Sequence, residues 1–339
     1  MEHLFSTAAW KVSGLIGCVL LFGTAFVLSV ALGQTPIPFQ TTLDAFFHYD
    51  GSNTEHVIVT TSRITRAIIA AVIGANLAIA GALMQALTRN PLAAPDLFGI
   101  NAGALFFIVF AITFFSVDSL TSYMWIAFLG AAVASILVFF LGSIGRDGLT
   151  PIKIVLAGAA ISALFVSFTQ GMLVIDEQAI QSILFWMAGS VAGRDLDMLL
   201  PVLPFMLGAG LVALFLGRPI NILLSGDDIA KGLGQRTILI KVVIGLAVVF
   251  LAGGSVAVAG SIGFVGLIVP HIARGLTGPD YRWLIPFSAL IGASLLLLAD
   301  VAARFIVMPQ EMPIGVMTAL IGAPFFVHIA RKGLSRNEE

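Results

Sequence analysis

Ten stretches of this chain are each apolar and long enough to read as a membrane-spanning helix, and that pattern limits the fold before any motif does. A helix needs about 20 mostly apolar residues to cross the hydrocarbon of a bilayer. The stretches are 10–33, 62–87, 98–116, 122–144, 151–174, 197–217, 238–259, 261–277, 283–305 and 313–332. Only 10% of the 339 residues are charged and 59% are hydrophobic. Soluble domains average about 25% charged residues, too many for such a chain to match on a hydrated surface. The net charge of −1 leaves no basic footprint for nucleic acid. The single cysteine, Cys18, excludes an intrachain disulfide and a cysteine metal site. The first stretch is longer than the ~7–15 residues of a signal-peptide core, so it reads as an uncleaved first helix.

Two of the stretches are short and interrupted. Asn90-Pro91, Pro95 and Gly99 break the approach to the third, and Gly260, Gly263, Gly266 and Pro270 punctuate the eighth. Broken helices at membrane depth are tolerated where they line a cavity or pack in protein, not where they face lipid. Lys and Arg set the orientation, because they accumulate on cytoplasmic loops. With a cytoplasmic N-terminus and ten crossings, the inside segments hold Lys11, Arg89, Arg146, Lys153, Arg218, Lys231, Arg236, Lys241, Arg282, Arg331, Lys332 and Arg336. The outside segments hold Arg63, Arg66, Arg194 and Arg304. Twelve against four places both termini inside. Segments 62–174 and 238–332 then contain four helices each and start on opposite sides, the arrangement of an inverted repeat.

Catalytic signatures are missing from the sequence. There is no Gly-x-x-x-x-Gly-Lys-Ser/Thr phosphate loop, no Gly-x-Ser-x-Gly elbow and no His-Glu-x-x-His. The five histidines are scattered, and His271 beside Pro270 reads as a packing residue. Asp300 is the one clear intramembrane carboxylate. Arg304 lies four residues on and shares its helical face, so Asp300 is either neutralised there or part of a proton relay. The scarcity of other buried carboxylates favours the ion pair.

Two polar regions carry the remaining signal. In the inside loop 217–237, Ser225 is a candidate N-cap for a short helix, with Gly226, Asp227 and Asp228 over its first turn. Ile229, Ala230 and Leu233 form an apolar face and Gly234 can end the helix. Such a helix buries its face against a cytoplasmic partner or against its own bundle. At the other side, Arg63 and Arg66 lie three apart at the mouth of the second stretch, and Arg304 lies near the outer end of the ninth. Positive charge there suggests docking to carboxylates of an extracytoplasmic partner, or pairing with Asp300.

These residues resemble a known family, the permeases for iron–siderophore complexes and vitamin B12. The resemblance rests on Arg63-Ile-Thr-Arg66, on Ala80-Gly81 through Gln85 and Arg89-Asn90-Pro91-Leu92-Ala93, and on Gly260-Ser-Ile-Gly263-Phe264-Val-Gly266 through Pro270-His271. Leu298-Ala299-Asp300 to Arg304 and Pro313-Ile-Gly315 to Pro324-Phe325 extend it over nearly the whole chain. It implies an all-α, polytopic membrane protein with ten transmembrane helices and inverted four-helix halves, the permease fold of a type II ABC importer in a bacterial cytoplasmic membrane. It implies no catalysis and no cofactor on this chain, with ATP and Mg held by partner ATPase subunits. It also implies a second permease subunit, identical or related, and an extracytoplasmic solute-binding protein.

By the same resemblance, Ser225, Gly226, Asp227, Asp228, Ala230, Leu233 and Gly234 belong to the ATPase-coupling loop, and Arg63, Arg66 and Arg304 dock the binding protein. The family usually has Pro between the paired arginines, where Thr65 stands here. Asn90, Pro91, Ser162, Thr169 and Gln170 are the expected pathway-lining residues, and an iron–siderophore complex is the expected cargo. An ion-coupled secondary carrier is the alternative. The inverted halves permit it, but the few buried carboxylates and the structured inside loop speak against it.

Overall fold

The computed structural model describes residues 4–5, 7–145, 149–175, 183–184 and 186–335, with the side chains of residue 330 and residues 332–335 left aside. His3, Arg146 and Arg336 lie outside the described residues, and so does the side chain of Lys332. The described chain is a bundle of helices, as an apolar chain requires when water is not there to satisfy its backbone.

The helices run as α1 (Ala8–Ala31), α2 (Phe39–Phe47), α3 (Thr54–Thr88), α4 (Ile100–Phe115), α5 (Leu120–Ser143) and α6 (Pro151–Ile175). There follow α7 (Leu203–Phe215), α8 (Gly217–Leu224), α9 (Asp227–Gly232), α10 (Thr237–Ala259), α11 (Val265–Thr277), α12 (Tyr281–Phe305) and α13 (Ile314–Ser335). Six are long and apolar enough to span a membrane: α1, α3, α5, α6, α10 and α12. The pair α7 and α8 qualifies together but bends by 55° at Leu216. Three shorter apolar helices, Ile100–Phe115, Val265–Thr277 and Ile314–Ile329, complete the set. The second apolar stretch starts eight residues earlier than hydropathy alone predicts, because the polar turn 54–61 is wound onto α3 through a π-helical segment at Ile58–Arg63.

Burial separates the roles of the helices. The apolar windows of α3 and α10 are 78% buried inside the protein, whereas that of α1 is 22% buried. α3 therefore forms an inner axis, packed on α12, α11 and α10, and α1 lies against the outside of α12. In lipid the driving force for such packing is close contact, so small residues sit where helices cross. A Cβ on Gly74 would lie 2.3 Å from the Gly292 carbonyl oxygen, and one on Gly292 would lie 2.4 Å from that of Gly74. Gly81 meets Gly266 in the same way, at 1.8 Å. These contacts fix α3 against α12 and α11 at backbone distance.

Gly292→Val should therefore destabilise the bundle by about 1–3 kcal/mol, the usual cost of overpacking. Its apparent melting temperature in detergent should fall, while Gly17→Val, on a face with open space, should leave it in place. Equal melting for both would show that the α3–α12 crossing is not set by this contact.

Candidate functional site

Two charged clusters stand at opposite ends of α3. At its start, Asp300 on α12 has no exposed surface. Arg304, one turn later, donates from Nη2 to Asp300 Oδ2 at 2.5 Å. Arg66 reaches across from α3 and donates from Nε to both oxygens at 3.0 Å and from Nη2 to Oδ1 at 2.8 Å. Its remaining nitrogen, Nη1, meets Glu311 Oε2 at 2.6 Å. Asp300 is thus held by cations on two helices, which supports the ion-pair reading over a proton relay.

The other donors of this cluster go to α1. The last carbonyls of a helix have no partner within it and carry its negative dipole end. Arg304 Nη1 donates to the carbonyls of Ser29 and Leu32 at 2.7 and 2.6 Å. Arg63 Nη1 donates to those of Val30 and Ala31 at 3.1 and 2.7 Å, and Nη2 to Thr35 at 2.6 Å. Arg63 and Arg304 are buried. The structure brings the three arginines together but corrects their reading as one docking surface. Two of them cap α1, whose last carbonyls have no partner within the helix. Arg66 alone keeps some exposure, beside Glu311.

At the far end, α8 and α9 occupy the segment expected from the sequence to couple to an ATPase. Ser225 does not cap α9. It closes α8, its N–H on the Ile222 carbonyl, and Gly226 at φ 119° stands at the start of α9 instead. A positive φ there favours glycine over serine. Gly234 ends α9 as expected, at φ 80°, with its N–H on Lys231 and that of Gln235 on Ala230. This paired closure is the Schellman pattern. The apolar face splits. Ala230 is fully buried against the bundle, while Ile229 and Leu233 are 56% and 69% exposed.

Asp227 anchors α9 from below. Its Oδ1 accepts from Arg89 Nη2 and its Oδ2 from Lys241 Nζ, both at 2.5 Å. Arg89 ends α3 and Lys241 lies in the first turns of α10. Burial opposes the charge on Asp227, but the bonds and fields of Lys241 and Arg89 outweigh it and hold the carboxyl below its ordinary range. Asp228 points into solvent, 3.9 Å from Lys231, a separation that contributes little. A second tie joins α8 to α12. Asn221 Nδ2 donates to Asp280 at 2.7 Å, and the Arg282 guanidinium, with Asn221, pulls the Asp280 carboxyl down to about 2.

The five expected pathway residues do not share a wall. Ser162 lines a cavity of about 300 Å³ with Asp96, Asn101, Trp186, Met187 and Ser261. Gln170 is exposed two turns further along α6. Thr169 is corrected: it is buried, and its hydroxyl donates to the Phe165 carbonyl at 2.7 Å. Asn90 and Pro91 stand at the coupling end. Asn90 Oδ1 accepts from the Leu92 N–H, and Pro91 shares a separate cavity with Arg89, Leu224 and Arg274. His271 packs edge-on to Phe325, yet its buried Nδ1 has no partner among the described residues. Asp96, Asn101 and Trp186 were not singled out from sequence. The signal for Asp96 was there, an acid between Pro95 and Gly99 in an otherwise apolar stretch.

A helical bundle with an anchored, partly exposed loop at one end and a braced charge cluster at the other defines a membrane transport component. Residues 19–332 match the FecCD transport family, and the chain belongs to it. It is 52% identical over 328 residues to the "Probable siderophore transport system permease protein YfiZ" of Bacillus subtilis (strain 168), covering 97% of this chain and 98% of that one. It is 39% identical to the ferric enterobactin transport system permease protein FepD of Escherichia coli (strain K12), over 96% and 97% of the two chains. A solved structure described as an inward-facing metal-chelate type ABC transporter superposes with a TM-score of 0.81 at 31% identity. It covers 95% of this chain and 99% of that one.

Asp300→Ala should cost about 3–5 kcal/mol, since it strands the buried Arg304 and the mostly enclosed Arg66. Thermal melts should show it, with Asp228→Ala unchanged. The Asp227 anchor also makes a pH prediction. A carboxyl held below its ordinary value of 3.8 lends stability that is complete above that value and is lost as pH falls through the lower folded one. Hydrogen-exchange protection of α9 should therefore stay level between about pH 8 and pH 5. A fall within that window would remove Asp227 as the anchor.

Proposed function

We propose that this chain is the membrane-spanning permease subunit of an ATP-driven importer that carries an iron–siderophore complex into a bacterial cytoplasm. The observation that carries the reading is α9, a helix fixed from below by Asp227 and Ala230 that turns two large apolar side chains, Ile229 and Leu233, away from the bundle. An apolar pair on an anchored helix is what a force-transmitting partner needs, a grip that moves with the bundle. The names of the relatives, siderophore and ferric enterobactin permeases, supply the cargo class.

In this reading the ten apolar segments are ten crossings, with both termini and α9 on the cytoplasmic side. The halves 62–174 and 238–332 are inverted relative to each other. Two ATPase subunits, which hold ATP and Mg, press on α9 of this chain and of a second permease subunit. An extracytoplasmic binding protein delivers cargo at the opposite end, where Arg66 and Glu311 are the charged groups within its reach. Arg63 and Arg304 hold that surface in shape from behind. The path runs beside α6, past Ser162 and Gln170. With both oxygens of Asp300 bound to arginines, no observation favours an ion-coupled carrier.

Ile229→Asp together with Leu233→Asp should weaken binding of the cognate ATPase subunit at least about tenfold, by loss of a buried apolar contact. Iron-chelate uptake should fall with it, while the purified permease keeps its melting temperature. Co-purification with the ATPase and uptake by reconstituted vesicles are the two readouts. Full binding and full uptake by the double variant would refute the coupling role, and uptake that persists without ATP but collapses with an ionophore would favour the carrier.

A further inference from the structure

Two of the apolar stretches are interrupted at corresponding places. In each half a long enclosed helix (α3, α10) runs to a break, then a short apolar helix follows (α4, α11), then two longer ones. The breaks are residues 89–99 and 260–264. Interrupted helices in matching positions of two halves mark solute sites, because their freed polar groups need a cavity rather than lipid. Here the two breaks meet. Pro95 and Asp96 from the first, and Gly263 and Phe264 from the second, line one narrow cleft.

That cleft adjoins the 300 Å³ cavity of Asp96, Asn101, Ser162, Trp186 and Ser261. Trp186 is pinned by backbone. The Ser261 N–H points at its carbonyl at 3.4 Å, and Gly260 approaches so closely that a Cβ would lie 2.0 Å from the same oxygen. Trp186 is 4% exposed, and its buried Nε1 has no acceptor among the described residues. Asn101 Oδ1 is likewise without a donor. Trp186 also lines a larger cavity, about 820 Å³, that reaches Arg194, Gln310 and Glu311 at the arginine end. One indole therefore stands between an outer chamber and an inner one.

Asp96 is the charge in the inner chamber. Asp300, Asp227 and Asp280 each face an arginine or a lysine. Asp96 faces an amide, the Nδ2 of Asn101 at 2.5 Å, and no cation among the described residues. Its side chain is exposed and opens onto the cavity. A carboxylate with no cation of its own is free to take one, or several strong donors, and this chamber has room for them to arrive with a solute.

We propose that Asp96, with Asn101, Ser162 and Ser261, is a cargo-contact station that takes ammonium or clustered N–H and O–H groups on the organic rim of a passing metal chelate. It disfavours chelates fringed with carboxylates, which meet like charge there. The proposal rests on the importer reading above.

The test uses the complete importer in vesicles with three probes: a linear ferric trihydroxamate ending in a free amine, its N-acetylated form, and ferric citrate. The first two differ by one positive charge at nearly equal size. The binding protein's own preference is measured by titration and divided out. The amine form should lead the acetylated form in uptake by about tenfold, the scale of one charge-assisted hydrogen bond. Asp96→Asn should erase that lead and Asp96→Glu should keep it. Should Asp96→Asn fail to assemble, Ser162→Asp reads the same effect in reverse, because a second carboxylate on this wall should widen the lead. An unchanged ratio in Asp96→Asn, or in Ser162→Asp where the first does not assemble, overturns the proposal. So does a wild type that moves only ferric citrate, and that result leaves the importer reading intact. A correctly assembled wild type that moves no iron chelate under ATP sinks the importer reading and the proposal with it.

Discussion

A carboxylate with no exposed surface must be matched by cations that are themselves held, and Asp300 is matched twice. Arg304 comes from its own helix and Arg66 from α3. Each cation then has donors left over, and a donor held at a largely enclosed site needs an acceptor. Arg304 spends them on the last carbonyls of α1 and Arg66 spends one on Glu311. Arg63 finishes the capping of α1. One buried charge thus ties α1, α3 and α12 and the segment after α12. The requirement that every donor find an acceptor builds the whole end of the bundle.

The same logic works at the other end with looser burial. Asp227 also takes two cations, but it is one-third exposed and stands on a six-residue helix. Its partners are chosen by position. Arg89 closes α3 and Lys241 belongs to the start of α10, and these are the two most enclosed helices. A displacement of α9 therefore reaches both α3 and α10 through a single side chain. It reaches α12 as well, through Asn221 and Asp280 on the neighbouring α8. Glycine contacts such as Gly74 with Gly292 leave no slack between α3 and α12. In the proposed importer, motion applied at α9 is consequently passed to α3, α10 and α12 rather than absorbed near its source.

The helices were legible in the sequence because span length is a hard constraint and apolar runs advertise it. Both breaks were legible too, since Pro and Gly announce them. What the sequence hid was which side of each polar residue the protein would use. Serine is a better cap by propensity than glycine, yet Gly226 stands where the chain needs a positive φ and Ser225 closes the helix before it. Thr169 sits between exposed residues in sequence, but the helical face turns it inward. Ala230 and Ile229 are both apolar and adjacent, and only the packed bundle tells the buried one from the exposed one. The arginines were read by their charge, when their geometry as five-donor caps decided their place. Asp96 was passed over because it lies in a short break, outside any span where a carboxylate would have drawn notice.

A pathway for a bulky solute has to satisfy conflicting demands. A wall that binds tightly stops transport, and a wall of pure hydrocarbon excludes a hydrated solute. In the proposed path, placing polar groups at the two helix breaks resolves this with few residues. The cost of an uncapped helix end is already incurred there, so the freed backbone and one acid add polarity without disturbing a packed span. The tight packing of Gly260 against the Trp186 carbonyl keeps that wall narrow and fixed in place. The charges that brace the bundle, Asp300 and Asp227, are kept at its ends and fully paired. In the proposed importer, structure and passage are thereby separated: ion pairs brace the two ends of α3, and the acid without a cation, Asp96, stands where the two breaks meet.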